Sequence, residues 1–293
     1  MSSIVCFGEV LWDVFPNQKK IGGAPLNVAI RASQFKNDVS MISAVGEDES
    51  GLTILNYLKQ HGVNTEAIQI LDAFKTGKVQ VKLNNKGSAT YTISYPGAWD
   101  KIEISEASKK LVKASDAFIF GSLATRDSVS KQTLYNLLDH AKFKVLDLNL
   151  RPPHYTIETL LSLMDKADFI KLNDEELYEV SDFLGSKFNG LEQNLKFIAE
   201  KTNTKQLCVT KGPFGAVLLK NDSLCYNSGY KVKVADTVGA GDSFLGTLIS
   251  KLVENEEPQK ALDMACAVGA LVAQSEGANP EISIETIQNF MYP

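Results

Sequence analysis

Cysteine and histidine are scarce in this chain. Its 293 residues contain four cysteines and three histidines. Cys6, Cys208, Cys225 and Cys266 stand far apart, mostly inside apolar runs, and form no C-x-x-C pair. They read as small buried hydrophobes in a reducing compartment rather than a disulfide framework. His61, His140 and His154 form no H-E-x-x-H or other metal spacing, which argues against zinc chemistry and a histidine-based triad. The G-x-S-x-G elbow and the G-x-x-x-x-G-K-[ST] phosphate loop are both missing. No apolar run approaches the ~18 residues of a membrane span. Lysine and arginine nowhere cluster, and 30 Lys+Arg against 35 Asp+Glu give a net charge of −5. Neither a membrane nor a nucleic-acid backbone is therefore an expected partner. The first residues lack a basic stretch and reach a carboxylate at Glu9, too early for a signal peptide. A soluble cytoplasmic protein is expected.

Short β-branched runs do recur, separated by amphipathic windows. Segments 3–7, 39–45, 116–120, 144–148, 168–172 and 206–210 are continuous apolar runs of the kind found in central parallel strands. Helical periodicity fills 26–35, 51–61, 128–141, 156–164, 174–183 and 191–202. The alternation predicts right-handed βαβ units around a mainly parallel α/β sheet flanked by helices. Residues 75–95 instead alternate strictly, with Val79, Val81 and Leu83 before Asn84-Asn85-Lys86-Gly87 and Ala89, Tyr91, Ile93 and Tyr95 after it. That predicts an antiparallel hairpin. The run 10–15 could pair with it, giving a small antiparallel lid from segments near 10–20 and 75–98, within a single unit spanning 1–293. A lid with one apolar face could also join a second copy, so a homodimer is expected. Beyond Thr210 come strands near 215–220, 223–226 and 231–235, then helices near 241–253, 258–274 and 284–291.

The segment with most chemical content is Asp236-Thr237-Val238-Gly239-Ala240-Gly241-Asp242-Ser243-Phe244. Small residues here lead into an amphipathic helix, so backbone N–H groups point outward at a helix N-terminus, an anion site. A dinucleotide fingerprint would need glycine where Phe244 stands, and Asp242 would repel a pyrophosphate. The same carboxylate suits phosphoryl transfer. It could take the proton of an attacking hydroxyl while the N–H groups of Gly239, Ala240 and Gly241 stabilise phosphoryl oxygens. An acidic N-cap on a glycine-rich turn is the simpler alternative.

The stretch D-T-V-G-A-G-D-S-F resembles the C-terminal signature of the PfkB (ribokinase-like) carbohydrate kinases. Gly22-Gly23-Ala24-Pro25-Leu26-Asn27 resembles that family's N-terminal signature. The likeness spans essentially the whole chain and implies a ribokinase-like fold, ATP and Mg²⁺ as cofactors, and a small-molecule sugar as partner. It implies sugar binding by Asp13, Gly22, Gly23 and Asn27. A carboxylate can accept from adjacent hydroxyls, and paired glycines let the backbone approach a ligand. Asp147-Leu148-Asn149-Leu150-Arg151-Pro152-Pro153 ends a predicted strand and is similar to a fructokinase-like segment. There Asn149 would bind hydroxyls and Arg151 would neutralise phosphate charge. The segment from Tyr95 to Ile102 also looks fructokinase-like, and Arg126 is a further cation candidate near the sugar.

Asn173-Asp174-Glu175-Glu176 resembles the family's N-x-x-E motif. It implies phosphate contact by Asn173 and Mg²⁺ organised through water by Glu176, although a plain capping box explains the same residues. Thr210, Gly212 and Gly215 resemble a nucleotide-phosphate turn. Cys266 and Gly269 lie on a small-residue helix face that the likeness places against adenine. Asp236 falls where some relatives hold a monovalent cation such as K⁺, but Glu281 stands where a hydroxyl residue is expected. The implied reaction is transfer of the γ-phosphoryl group of ATP to a primary hydroxyl of a furanose-like sugar. Fructose is the favoured acceptor, with ribose and 2-keto-3-deoxygluconate as alternatives. A non-catalytic sugar or nucleotide sensor is the alternative of another class.

Overall fold

A computed structural model describes residues 1–83 and 89–292. Its strands are β1 (Ser3–Phe7), β2 (Leu11–Val14), β3 (Lys19–Gly22), β4 (Asp38–Gly46), β5 (Val63–Asn64), β6 (Ile68–Leu71), β7 (Gly77–Leu83), β8 (Ala89–Ile93), β9 (Ala117–Gly121), β10 (Lys144–Asp147), β11 (Phe169–Asn173), β12 (Gln206–Thr210), β13 (Ala216–Lys220) and β14 (Ser223–Asn227). The α-helices are α1 (Ala24–Gln34), α2 (Glu49–Gln60), α3 (Glu106–Ala114), α4 (Ser128–Leu138), α5 (Ile157–Lys166), α6 (Asp174–Phe183), α7 (Leu191–Lys201), α8 (Ala240–Val253), α9 (Pro258–Ala273) and α10 (Ile284–Met291).

The apolar runs assemble into one large sheet in the order β14-β13-β12-β11-β10-β9-β1-β4-β5, with β6 also on β4. Pairing is parallel from β5 through to β12, and only the β12–β13 and β13–β14 pairings are antiparallel, so β13 alone is reversed. Side chains alternate across it, so β1 feeds two cores. Ile4 and Cys6 join Leu26 of α1, Leu245 and Leu248 of α8 and Ala265 of α9. Val5 and Phe7 join Leu134 of α4, Leu160 of α5, Leu177 of α6 and Leu195 of α7. Burial on both faces is why these strands read as unbroken apolar runs.

Chain order reverses at β1, which has β4 on one side and β9 on the other. In parallel sheets the crevice at such a reversal, beyond the carboxyl ends of the strands, is where ligands bind. Local chemistry starts the helices around it. Pro25 opens α1, and Asp127 and Thr156 cap α4 and α5 by accepting from Val129 and Thr159.

A second sheet, in the order β3-β2-β7-β8, forms the lid. The expected hairpin is there, with Val79 opposite Ile93 in antiparallel register. Its expected turn, Asn84-Asn85-Lys86-Gly87, lies outside the described residues. The run 10–15 does join it, but β2 meets β7 in parallel register, Asp13 beside Val79. The lid is therefore mixed, because its two halves enter from separate parallel strands of the main sheet. Leu11, Val79 and Val81 form its small core with Phe15 and Ile93. Leu11, Phe15, Val79 and Ile93 also line a cavity beneath the lid.

Two further expectations are corrected. Residues 231–235 form no strand: Val234 is 56% exposed, and the segment's alternation has no neighbouring strand to bury against. Helix α3 was not expected, because only Ser108 and Val112 of its nine residues are buried.

Candidate active site

Glycine starts the central feature. Gly239 caps α8 with a left-handed φ of 75°, and a Cβ there would lie 2.5 Å from the Cβ of Ala278. The chain then turns directly into the helix, setting Asp242 in its first turn. Asn27 in α1 donates from Nδ2 to Asp242 Oδ2 at 2.8 Å, and Asn279 Nδ2 donates to Asn27 Oδ1 at 2.8 Å. That chain fixes the carboxylate and leaves its other oxygen free to accept. Of the turn's donors, Ala240 gives its N–H to the Thr237 carbonyl at 3.3 Å, so it is not the outward donor expected of it. Among the described residues Gly239, Gly241 and Asp242 have no such backbone partner.

A cavity of about 920 Å³ opens in front of this turn. It brings together Asp13, Gly23, Asn27, Asn149, Arg151, Gly239, Gly241 and Asp242, all expected from the sequence. Asp13 comes from the second strand of the lid, opposite Lys20. Gly22 is required there, since a Cβ would stand 2.3 Å from Asp13 Oδ2. Gly23, at φ 117°, would drive a Cβ to 2.4 Å from the Glu9 carbonyl. Asn149 bends the chain after β10 with φ 40°, and Arg151 donates to the Leu150 carbonyl at 2.9 Å.

Carboxylates crowd the site. Burial pushes the Asp242 carboxyl up to about 6, with Asp147 adding to it and Asn27, Lys171 and Arg151 opposing. Burial also raises Asp13, against the pull of Arg151 and Lys20. Two charged residues were missed. Glu9 is 4% exposed, and its Oε2 has no hydrogen-bond partner among the described residues. Burial raises its carboxyl to about 7, opposed by hydrogen bonds from its own and the Ala24 N–H and by Arg151. Its signal was position alone, just past the end of β1. Lys171 donates to Asp147 at 3.0 Å within a buried pair. Burial depresses its ammonium, but Asp147, Glu176 and Asp242 outweigh that and leave it raised. A lysine inside the apolar run F-I-K-L-N was its legible trace.

The remaining expected residues lie along the neighbouring strand ends. Asn173 and Thr210 are register partners at the ends of β11 and β12. Glu176 and Asn173 form a true capping box at 2.7 and 2.8 Å. Glu176 also accepts from the Leu150 N–H at 2.7 Å, pinning β10's exit to α6. Both oxygens of Glu176 thus accept backbone N–H groups within the fold. Gly212 faces open space at φ 53°, whereas Gly215 is a packing glycine whose Cβ would strike the Asn227 carbonyl at 2.1 Å.

Cys266 sits 7% exposed in the core, and Gly269 lets α9 approach the Ala240 carbonyl. Close helix packing accounts for both. Asp236 accepts from the Val238 N–H at 3.0 Å and pairs with Lys20 at 3.4 Å. Arg126 is held by both oxygens of Asp100 at 2.7 and 2.8 Å, away from this cavity. All four cysteines are free, no acidic, cysteine or histidine cluster suited to a metal occurs among the described residues, and none of their helices is long and apolar enough to cross a membrane.

The family model for pfkB family carbohydrate kinases matches residues 1–285. The chain belongs to the pfkB family of carbohydrate kinases. It is 31% identical to the Arabidopsis thaliana protein named probable fructokinase-6, chloroplastic, across 95% of this chain and 79% of that one. It is 28% identical to fructokinase-2 of Solanum lycopersicum, across 95% and 92%. Among solved structures, the fructokinase of Xylella fastidiosa with bound ATP superposes with a TM-score of 0.87 at 22% identity, covering 99% and 98% of the two chains. The fructokinase of Vibrio cholerae with fructose, ADP and calcium gives 0.85 at 22% identity, with 99% of each chain covered. At these identities the solved structures show the fold, a ribokinase-like α/β sheet with a lid.

Proposed function

We propose that this carbohydrate kinase transfers the γ-phosphoryl group of ATP to a primary hydroxyl of a furanose-like sugar, with fructose converted to fructose 6-phosphate. The observation that carries the reading is Asp242, held by Asn27 at 2.8 Å in the cavity that Asp13 also lines. The sugar would span the two carboxylates. Asp13, Gly23 and Asn149 hold its hydroxyls, and the free oxygen of Asp242 accepts the proton of the attacking one. The sugar oxygen then bonds to the γ-phosphorus as the bond to the bridging oxygen of ADP breaks. Charge on the transferring group falls to the N–H groups of Gly239 and Gly241 and to Arg151 and Lys171.

The nucleotide's outer phosphates fit beside Asn173 and Thr210, with Gly212 allowing close approach. Mg²⁺ bound with ATP would neutralise phosphate charge, and the residues fit it. The unpartnered Oδ2 of Asp147 and, through water, Glu176 offer it oxygens. Fructose is preferred over ribose and 2-keto-3-deoxygluconate because the relatives that share most of the chain are named fructokinases. Arg126, which could have served an acid substrate, is committed to Asp100.

Asp242→Asn tests the mechanism. It keeps the size of the side chain and its bond to Asn27 but removes the proton acceptor. The expected result is a fall in kcat of roughly 10²–10⁴ with sugar and ATP binding nearly unchanged. Near-normal kcat in the folded variant would reduce Asp242 to a structural carboxylate in the first turn of α8. A screen of fructose, ribose and 2-keto-3-deoxygluconate should give the highest kcat/KM for fructose. No turnover of any sugar would favour a sensor.

A further inference from the structure

Asn27 and Arg31 stand one turn apart on the same face of α1. Each bridges the start of α8 to the loop that follows α9. Asn27 donates to Asp242 and accepts from Asn279, both at 2.8 Å. Arg31, 1% exposed, donates from Nε to Ser243 Oγ at 3.2 Å and from Nη2 to the Pro280 carbonyl at 3.1 Å. Residues 242 and 243 are thus clamped to residues 279 and 280 by two rungs from one helix. Ala278 closes the seam, filling the space that a Cβ on Gly239 would need.

The rungs differ in what they fix. The guanidinium of Arg31 has donors on every edge. The amide of Asn27 has an acceptor and a donor group of nearly equal size, and rotation about its last bond is broad and two-fold. Turned over, it would set Oδ1 against the Asp242 carboxylate, acceptor against acceptor. At 3% exposure, Asn27 is closed to the water that could otherwise hold its amide. The donor that fixes its orientation is Asn279 Nδ2. Asn279 supplies it at a cost, since its own Oδ1 is buried and has no partner among the described residues. An apolar side chain would avoid that cost but leave Asn27 free to turn. We propose that Asn279 is a positioning residue for phosphoryl transfer, acting through Asn27 to keep the accepting oxygen of Asp242 turned toward the substrate. This inference rests on the reading of Asp242 as the proton acceptor.

A double-mutant cycle tests it. In Asn279→Ala, kcat should fall roughly 5–10-fold, the worth of one hydrogen bond, with the KM for sugar and for ATP little changed. The bond from Asn27 lowers the Asp242 carboxyl, so loosening it should move the Asp242 midpoint upward. That midpoint is read in the free protein from the carboxyl carbon NMR signal that Asp242→Asn removes. Glu9, Asp147, Arg151 and Lys171, the charged groups that act on Asp242, stay the same in these variants. Asn279→Asp keeps the size of the side chain but loses the donor, and should lower kcat at least as far. In Asn27→Ala, where the relay is already broken, Asn279→Ala should change neither kcat nor midpoint. The assignment is overturned if kcat and midpoint stay parental in both Asn279 variants, if the effect of Asn279→Ala persists in Asn27→Ala, or if the sugar KM alone rises. Any of these beside a low kcat in Asp242→Asn removes Asn279 alone. A parental kcat in Asp242→Asn removes the proton-acceptor reading and with it the catalytic role of Asn279.

Discussion

Glu9→Gln should make the protein more stable at alkaline pH than at acid pH relative to the parent. The Glu9 carboxyl rises from 4.5 to about 7 on folding, chiefly because burial penalises its charge. Between those values the unfolded chain has released a proton that the folded chain still holds. Each step up in pH there favours unfolding. The contribution is complete below the unfolded value and lost as pH rises through the folded one. At about 1.4 kcal/mol per unit, the deficit of the ionised parent grows to roughly 3 kcal/mol near pH 8 and stays under ~0.5 near pH 4.5. Glutamine mimics the protonated acid in shape and cannot ionise. Its amide meets the same partnerless environment as Oε2, a cost independent of pH. The quantity to read is therefore the pH dependence of the difference between the two proteins, from urea titrations at matched pH. A difference that stays flat from about pH 4.5 to 8 would show that Glu9 is not buried as an acid.

The raised carboxyl of Asp242, about 6, requires the sugar kcat/KM to fall about tenfold per unit below that pH and to level above it. The same midpoint in Glu9→Gln would assign it to Asp242, whereas its loss would assign it to Glu9. Asp13→Ala should raise the sugar KM by roughly 10–100-fold, the worth of charge-assisted hydrogen bonds, and leave the ATP KM alone; a normal sugar KM would place the sugar elsewhere. Saturating sugar should slow hydrogen exchange in β2, β7 and β8 more than in α7. Equal protection would make the lid a static wall.

Legibility followed the range of the interactions. The turn 236–244 and the capping box 173–176 are complete within a few residues, so their glycines, carboxylates and spacing could be read directly. The central strands were legible because burial on both faces leaves an unbroken apolar run. The parallel seam between β2 and β7 was not, because alternation marks a strand without naming its neighbour 60-odd residues away. Side-chain partners were hidden for the same reason. Arg126 lies five residues past the end of β9, where a ligand residue could stand, yet the buried Asp100 claims its fork. The pairing of Asp236 with Lys20 of the lid joins residues more than 200 positions apart and left no trace in the sequence. Cys266 and Gly269 are ambiguous in sequence, because small residues mark close packing of any kind, against a helix or a nucleotide.

β2 follows β1 across Gly8, Glu9 and Val10 alone, so the lid's central strand is a lever mounted directly on the main sheet. Asp13 rides four residues out from Glu9, ~13 Å along an extended strand. A rotation of about 10° at that fulcrum would sweep the Asp13 carboxylate through roughly 2 Å, enough to break a hydrogen bond of ordinary length. The fulcrum is crowded: a Cβ on Gly8 would stand 2.8 Å from Pro25, and one on Gly23 would strike the Glu9 carbonyl. Small changes in packing at Gly8, Gly23 and Pro25 are thus magnified at the far end of the arm. A substitution at the pivot would therefore displace Asp13 without touching it.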